Sequence, residues 1–217
     1  MAENHSQSSN DIQYLIDSNS FMSIKNPFQV FLATITLINL FATPSRANPE
    51  ITNQTISIEE LKDAQQGWCN ALIKISNTHE NEGLEKAKSI ADQIIDTAYG
   101  YNLGPVAFKP TWATGKTTFR TTRDGALSYF IGDDTKYNDK GFAIGSPEAS
   151  RSPWTSCTIE NSVVQLYGNT ANSIGWVHFT AESGYKSTVD KTWTFIKDNE
   201  GNLRIVLHHS SAPYSGY

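Results

Sequence analysis

The chain has 217 residues and a formal net charge of −5. It contains no basic block that could neutralise a run of phosphates, which argues against a nucleic-acid-binding protein. Internal repeats and low-complexity tracts are missing as well, which argues against a solenoid and against a long disordered region. The length allows one domain and an appendage.

One strongly apolar stretch without charge runs from Phe28 to Thr43. Lys25 precedes it, and small residues stand at the two positions that a signal peptidase reads if it cuts after Ala47. At about sixteen residues, the stretch is short for a membrane span, which needs about 20. The sequence therefore predicts a secretory signal, with an uncleaved signal anchor as the alternative.

The polar segment before this signal is unusually long and acidic for the first region of a signal peptide. Translation that begins at Met22 would give a more typical first region. We expect residues 1–47 to be an N-terminal lead with an export signal, and residues 52–217 to form the folded domain. This interpretation predicts export to a periplasm or a thylakoid-type lumen.

Two cysteines, Cys69 and Cys157, occur in the chain. Exported proteins can pair such residues. Cys69 falls in a helical pattern beside Trp68, and Cys157 falls in a strand pattern, so separate burial is at least as good an interpretation. No disulfide framework is predicted.

Two helices are predicted first. Ser57 and Glu60 have the spacing of a capping box, which marks a helix start. Apolar residues then recur at helical spacing in two successive stripes: Leu61, Ala64, Trp68, Ala71, Leu72 and Ile75, then Leu84, Ala87, Ala91, Ile94, Ile95 and Ala98.

Strands dominate after Gly100, in short runs rich in Val, Phe, Tyr, Trp and Thr. A long loop from Gly132 to Pro153 interrupts them and is expected to line a site. Helices followed by strands indicate an α+β domain, a cone of helices on a strongly curved, mainly antiparallel sheet. The predicted strands are Val106–Ala113, Thr117–Thr122, Ala126–Ile131, Cys157–Asn161, Val163–Tyr167, Ile174–Ala181, Ser187–Lys197 and Leu203–Ser211.

The last predicted strand ends in consecutive polar groups. Strict alternation puts His209 and Ser211 on the core face with Leu203, Ile205 and Leu207. The pattern then predicts that these two side chains close a pocket. The alternative is a strand that frays into a hydrophilic tail.

Tyr129 and Thr111 are further candidates. In the predicted strand Ala126–Ile131, Tyr129 shares a face with the apolar Leu127 and Ile131, so its buried hydroxyl needs a partner. Thr111 is a small donor and acceptor after Pro110. For each residue the pattern alone favours the alternative, an ordinary structural role.

A catalytic metal is not predicted. It needs about three protein ligands, and the five histidines are scattered. Adjacent His208 and His209 point to opposite faces, and neither cysteine belongs to a C-x-x-C motif.

Several motifs in one order resemble the iota-class carbonic anhydrases of the NTF2-like superfamily. The last strand also resembles that of the calcium/calmodulin-dependent kinase II association domain, whose pocket residue falls at His209. The motifs are Gly104–Thr111, Phe119-Arg120, Gly125–Phe130, Asp139–Phe142, Glu160-Asn161 and His208–Pro213.

This resemblance implies a small cone, commonly a homodimer, that interconverts carbon dioxide and bicarbonate. It implies catalytic roles for Thr111, Tyr129, His209 and Ser211, with Thr111, Tyr129 and Ser211 binding substrate. The His-His-Ser-Ser motif leaves open which histidine and serine act. The similar members are thought to work without metal; others are described as metal-dependent, so zinc or manganese stays open.

In this scheme, His209, or a hydroxyl chain through Ser211 and Tyr129, takes a proton from water as it attacks carbon dioxide. Thr111 and Tyr129 hold the developing bicarbonate oxygens. A non-catalytic ligand-binding or oligomerisation module is the alternative function. An isomerase would need a buried carboxylate, for which Glu160 is the nearest candidate.

Overall fold

This computed structural model describes residues 54–214. Three helices and one short strand come first in this part of the chain, and four consecutive strands follow. The export signal, the cleavage after Ala47 and the start at Met22 lie outside these residues and stay predictions. None of the described helices is long and apolar enough to cross a membrane. The elements are α1 (Ile58–Glu82), α2 (Leu84–Ala98), β1 (Ala107–Lys109), a 3-10 turn (Gly115–Thr117), α3 (Arg123–Ile131), β2 (Trp154–Tyr167), β3 (Thr170–Ala181), β4 (Lys186–Lys197) and β5 (Leu203–Ser211).

The predicted capping box starts α1. The Ser57 hydroxyl accepts from the Glu60 amide at 3.1 Å, and the Glu60 carboxylate accepts from the Ser57 amide at 2.8 Å. Two of the orphan amides of the first turn are thereby satisfied. The apolar stripe behind it buries Leu61, Trp68 and Leu72 in the core.

The five strands form one sheet in the order β1-β5-β4-β3-β2. Every neighbouring pair is antiparallel except β1 and β5, which run parallel. The expected α+β class with a mainly antiparallel sheet is therefore confirmed. The parallel pairing matters for the site because it carries the chain that follows β1 past the end of β5.

The predicted strand Ala126–Ile131 is wrong, because these residues belong to helix α3. The Thr122 hydroxyl caps the helix by accepting from the Gly125 amide at 3.2 Å. Gly132, at a φ of +83°, closes the helix in the left-handed conformation. A short apolar run fits both the helical and the strand period. Here the Thr122 cap at the start and Gly132 at the end determine that the segment is a helix.

Four other predicted strands also need correction. The run Thr117–Thr122 is a 3-10 turn followed by loop, and β1 ends at Lys109 because Pro110 has no amide for the ladder. The predicted strands Cys157–Asn161 and Val163–Tyr167 are one strand, β2, with a register shift between Asn161 and Val163.

Cys69 of α1 and Cys157 of β2 form a disulfide, so separate burial is not what the structure shows. The two residues lie 88 positions apart in the sequence, and their Cα atoms are 5.3 Å apart. Packing of α1 across β2 creates this proximity, which neither local pattern contains.

Candidate active site

A small buried cavity lies where β5, the loop after β1, α1 and α3 meet. Most of its wall is apolar, and four hydrogen-bonding side chains and one amine interrupt that wall. The lining residues are Trp68, Phe108, Pro110, Thr111, Trp112, Tyr129, Phe142, Phe179, Val189, Lys191, His208 and Ser210.

Thr111 and Ser210 meet at this cavity. β1 and β5 pair in register from Ala107 opposite Leu207 to Lys109 opposite His209. Just beyond β1, the chain places the Thr111 hydroxyl 2.7 Å from the Ser210 hydroxyl. Either oxygen can donate, so the pair can switch direction when a third group binds.

The predicted inward face of β5 is wrong by one residue. His208 and Ser210 are buried and line the cavity, while His209 is exposed. Ser211 points away from the cavity and donates to the Asp190 carboxylate at 2.6 Å.

A β-bulge causes this shift. Thr194 pairs with Leu207, but the next residue of β4, Phe195, pairs with Ile205, so Val206 is an extra residue in β5. One extra residue flips the alternation for everything that follows it. Ile205 and His208 therefore face the core together, three positions apart.

His208 is held by a chain of two buried hydrogen bonds. The Trp68 indole donates to the Tyr99 hydroxyl at 3.0 Å, and that hydroxyl lies 2.8 Å from Nδ1 of His208. An indole N–H can only donate, and the Tyr99 hydroxyl contacts no acceptor other than Nδ1 among the described residues. We therefore assign the Tyr99 hydrogen to Nδ1. The hydrogen of neutral His208 then resides on Nε2.

The environment of His208 disfavours its charged form. Its ring stacks on Phe108 with centroids 4.5 Å apart. Burial lowers the pKa of His208 well below its usual range, and positive charge on Lys191 or His209 lowers it further. His208 is thus a neutral ring that can donate through Nε2.

Tyr129 reaches the cavity from α3. Burial raises the pKa of its phenol, partly opposed by backbone amides of Trp112 and Thr111 directed at the phenol oxygen. The group therefore stays protonated at neutral pH and can donate. The Phe142 ring, from the long loop after Gly132, stacks on Tyr129 with centroids 5.7 Å apart.

The buried Asp139 carboxylate holds the loop to α3 and to the segment that precedes this helix. Asp139 accepts from Arg120 at 2.7 Å and from the Ser128 hydroxyl at 2.7 Å. An outer cleft of about 360 Å³ opens beside this pair and shares Trp112, Tyr129 and Phe142 with the inner cavity. The loop after Gly132 therefore lines this outer cleft, and its part in a functional site stays a prediction.

No carboxylate lines the inner cavity among the described residues. The Glu160 side chain, the candidate for an isomerase, is 74% exposed. Within residues 54–214 no cluster of three or more His, Cys, Asp or Glu side chains is arranged to hold a metal ion.

The family model for metal-independent carbonic anhydrase matches residues 59–212. A metal-independent carbonic anhydrase from Nostoc sp. is 48% identical over 174 residues, which cover 80% of this chain and 81% of the relative. The chain belongs to this family.

One solved structure agrees with this family membership. A cyanobacterial iota-carbonic anhydrase, solved in complex with bicarbonate, aligns with a TM-score of 0.73 at 47% identity, covering 78% of this chain and all of that chain. An NTF2-like superfamily protein from Salmonella enterica aligns with a TM-score of 0.44 at 15% identity, covering 73% of this chain and 96% of that chain.

Two polar residues beside the cavity of this carbonic anhydrase family member were missed by sequence reasoning. Tyr99 follows α2 directly, and no sequence pattern marks it as a site residue. A pattern does mark Lys191, because it occupies an inward position of β4 between Val189 and Trp193. A charged residue on an apolar face of a strand is rare, and alternation alone could have found it.

Proposed function

We propose that this protein catalyses the reversible hydration of carbon dioxide to bicarbonate. The observation that carries the proposal is the buried cavity where Thr111, Ser210, Tyr129 and His208 converge within apolar walls, in a chain of the metal-independent carbonic anhydrase family. Apolar walls suit uncharged carbon dioxide, and the polar groups suit an oxyanion.

The polar groups divide into two kinds of donor. Tyr129 and His208 Nε2 each offer one hydrogen in a fixed direction. The Thr111 and Ser210 hydroxyls share one hydrogen bond, so one of them keeps a hydrogen to give. Donors fixed in advance around a dry cavity stabilise negative charge as it develops on the bicarbonate oxygens.

We further propose that the reaction needs no metal ion. A zinc enzyme lowers the pKa of bound water from 15.7 to about 7. Free hydroxide can be avoided without a metal if a positioned base takes the proton while water attacks carbon. The name of the matching family and that of the Nostoc relative support this proposal.

Stopped-flow hydration of carbon dioxide by the purified protein tests both proposals. The rate is measured before and after exhaustive chelation, and metal content is determined on the same sample. We expect activity to survive chelation. Activity lost on chelation and restored by zinc or manganese would overturn metal independence, and saturable bicarbonate binding without turnover would indicate a binding module.

We also propose that the protein is exported to a periplasm or lumen. The Cys69–Cys157 disulfide supports this location because such bonds persist in oxidising compartments. N-terminal sequencing of the protein isolated from its cells should begin after Ala47. Recovery of the mature chain with Met1 intact would contradict export with cleavage.

A homodimer is the oligomeric state that we propose. Apolar side chains are exposed on neighbouring positions of β2 and β3, where Val163 pairs with Ile174 and both are 50% exposed. Trp176 and Tyr167 extend this surface. Light scattering after gel filtration should give twice the monomer mass for the wild type. Ile174→Asp should lower the measured mass to that of the monomer. A monomeric wild type would contradict the proposal.

A further inference from the structure

Lys191 is the one amine that lines the inner cavity among the described residues. It is 3% exposed. Its Nζ lies 3.8 Å from the ring centroid of Trp68, 5.0 Å from that of Trp193 and 5.8 Å from that of Phe179. Within residues 54–214 it has no salt bridge or hydrogen bond, so its lone pair is available when the amine is neutral.

The other polar groups of the cavity are poor proton acceptors in their resting state. Nδ1 of His208 already accepts from Tyr99, and Nε2 carries the ring hydrogen. Tyr129 is a protonated phenol, and the hydroxyls of Thr111 and Ser210 are bound to each other. The donors for bicarbonate are present, but the base that the reaction needs has to be another group.

We propose that the ε-amino group of Lys191 is the proton acceptor when water attacks carbon dioxide. This inference rests on the proposed function. As the water oxygen bonds to carbon, one carbon–oxygen π bond breaks and its electron pair moves to oxygen. The water proton passes to Nζ, leaving bicarbonate and a lysine ammonium, which then returns its proton to solvent.

The surroundings of Nζ suit both states of this cycle. Burial lowers the pKa of Lys191 well below its usual range, which favours the neutral amine before reaction. The face of Trp68 stabilises the ammonium once it forms, and the new bicarbonate lies beside it as a counter-ion. The titratable groups that line the cavity with Lys191 are His208 from β5 and Tyr129 from α3, and neither carries negative charge at rest.

Three substitutions separate a proton acceptor from a fixed charge. Lys191→Met keeps the shape without an amine, and Lys191→Arg places a permanent positive charge there, on a group that does not release its proton. Both should lower kcat for hydration by about 10²- to 10⁴-fold. Lys186→Met, at the exposed start of the same strand, is the control and should keep the wild-type rate.

The pH profile adds a readout that a structural role would not move. The wild-type rate should rise with pH through one ionisation that is missing in Lys191→Met. A wild-type rate in Lys191→Arg would show that a positive charge is sufficient for catalysis. A wild-type rate in Lys191→Met would show that no polar group is needed at this position. Either result overturns the proposal. An inactive wild type would instead refute the proposed function itself.

Direct titration decides the matter if the variants do not fold. The Lys191 ¹³Cε signal of the wild-type protein, labelled at lysine, should titrate at the midpoint of the rate profile. An amine that stays protonated, or stays neutral, through the whole pH range over which the rate changes would overturn the proposal.

Discussion

The hydroxyls of Thr111 and Ser210 lie 2.7 Å apart although 99 positions separate them in the chain. This contact exists because β1 and β5 are parallel neighbours and the chain turns at Pro110 just beyond the ladder. It joins the chain just after the first strand of the sheet to the end of the last, at the point where the inner cavity lies. Disturbing either partner should therefore affect turnover more than folding.

Ser210→Ala should lower kcat for hydration by about 100-fold, because it removes one of the donors that we propose for the bicarbonate oxygens. Ser211→Ala, one residue further, should stay near the wild-type rate because that side chain binds Asp190 outside the cavity. Stopped-flow assays of the two variants side by side check this. Equal losses, or a larger loss in Ser211→Ala, would contradict the face assignment.

Tyr129→Phe should sharply reduce the hydration rate, by about 100-fold, while the circular dichroism spectrum stays that of the wild type. The substitution removes the protonated phenol that we propose as a donor to substrate, and it leaves the ring stack with Phe142 in place. Tyr167→Phe is the matched control, since Tyr167 is 61% exposed on β2. Near-normal turnover in Tyr129→Phe would remove the proposed role.

Tyr99→Phe should lower both stability and activity. It leaves the buried Trp68 indole without an acceptor and His208 Nδ1 without a donor, which costs about 1–3 kcal/mol for each unsatisfied group. Urea unfolding measures the first effect. The ¹⁵N spectrum of His208 should lose the pure Nε2–H form, and an unchanged spectrum would contradict the hydrogen-bond direction that we assign.

Lys191→Met should stabilise the fold at pH 7 by about 1–3 kcal/mol, because it removes a buried amine that makes no hydrogen bond to a described residue. The difference in free energy of unfolding between the variant and the wild type should increase as the pH falls from about 10.4 towards the depressed pKa of Lys191 in the folded protein. In that window the unfolded chain binds a proton that the folded chain does not. Urea unfolding at several pH values checks the sign; a less stable variant would contradict it.

Reduction of the Cys69–Cys157 bond should lower the free energy of unfolding by about 2–5 kcal/mol, since the bond closes a long loop between α1 and β2. Unfolding with and without dithiothreitol measures the change. The double variant Cys69→Ala/Cys157→Ala should have the lower stability and no response to the reductant. A wild type that is equally insensitive would show that the bond does not form in solution.

Local signals in the sequence were sufficient wherever neighbours along the chain decide the structure. The Ser57 and Glu60 capping box fixed the start of α1, and alternation found β3 to β5 within a few residues of their observed bounds. The same alternation failed at His209 and Ser211. One unpaired residue, Val206, exchanges the inward and outward faces of β5 for the residues that follow it. Its side chain gives no indication of a bulge.

Composition and motif order by themselves determined the α+β class, the family and the short polar segments that carry the chemistry. Only the tertiary structure decided which members of those segments meet: His208 rather than His209, Ser210 rather than Ser211, Cys69 with Cys157, and Lys191 beside Trp68. The physical reason is that strand register and helix-on-sheet packing set these contacts. Both depend on the whole core being assembled at once, and no local pattern encodes them.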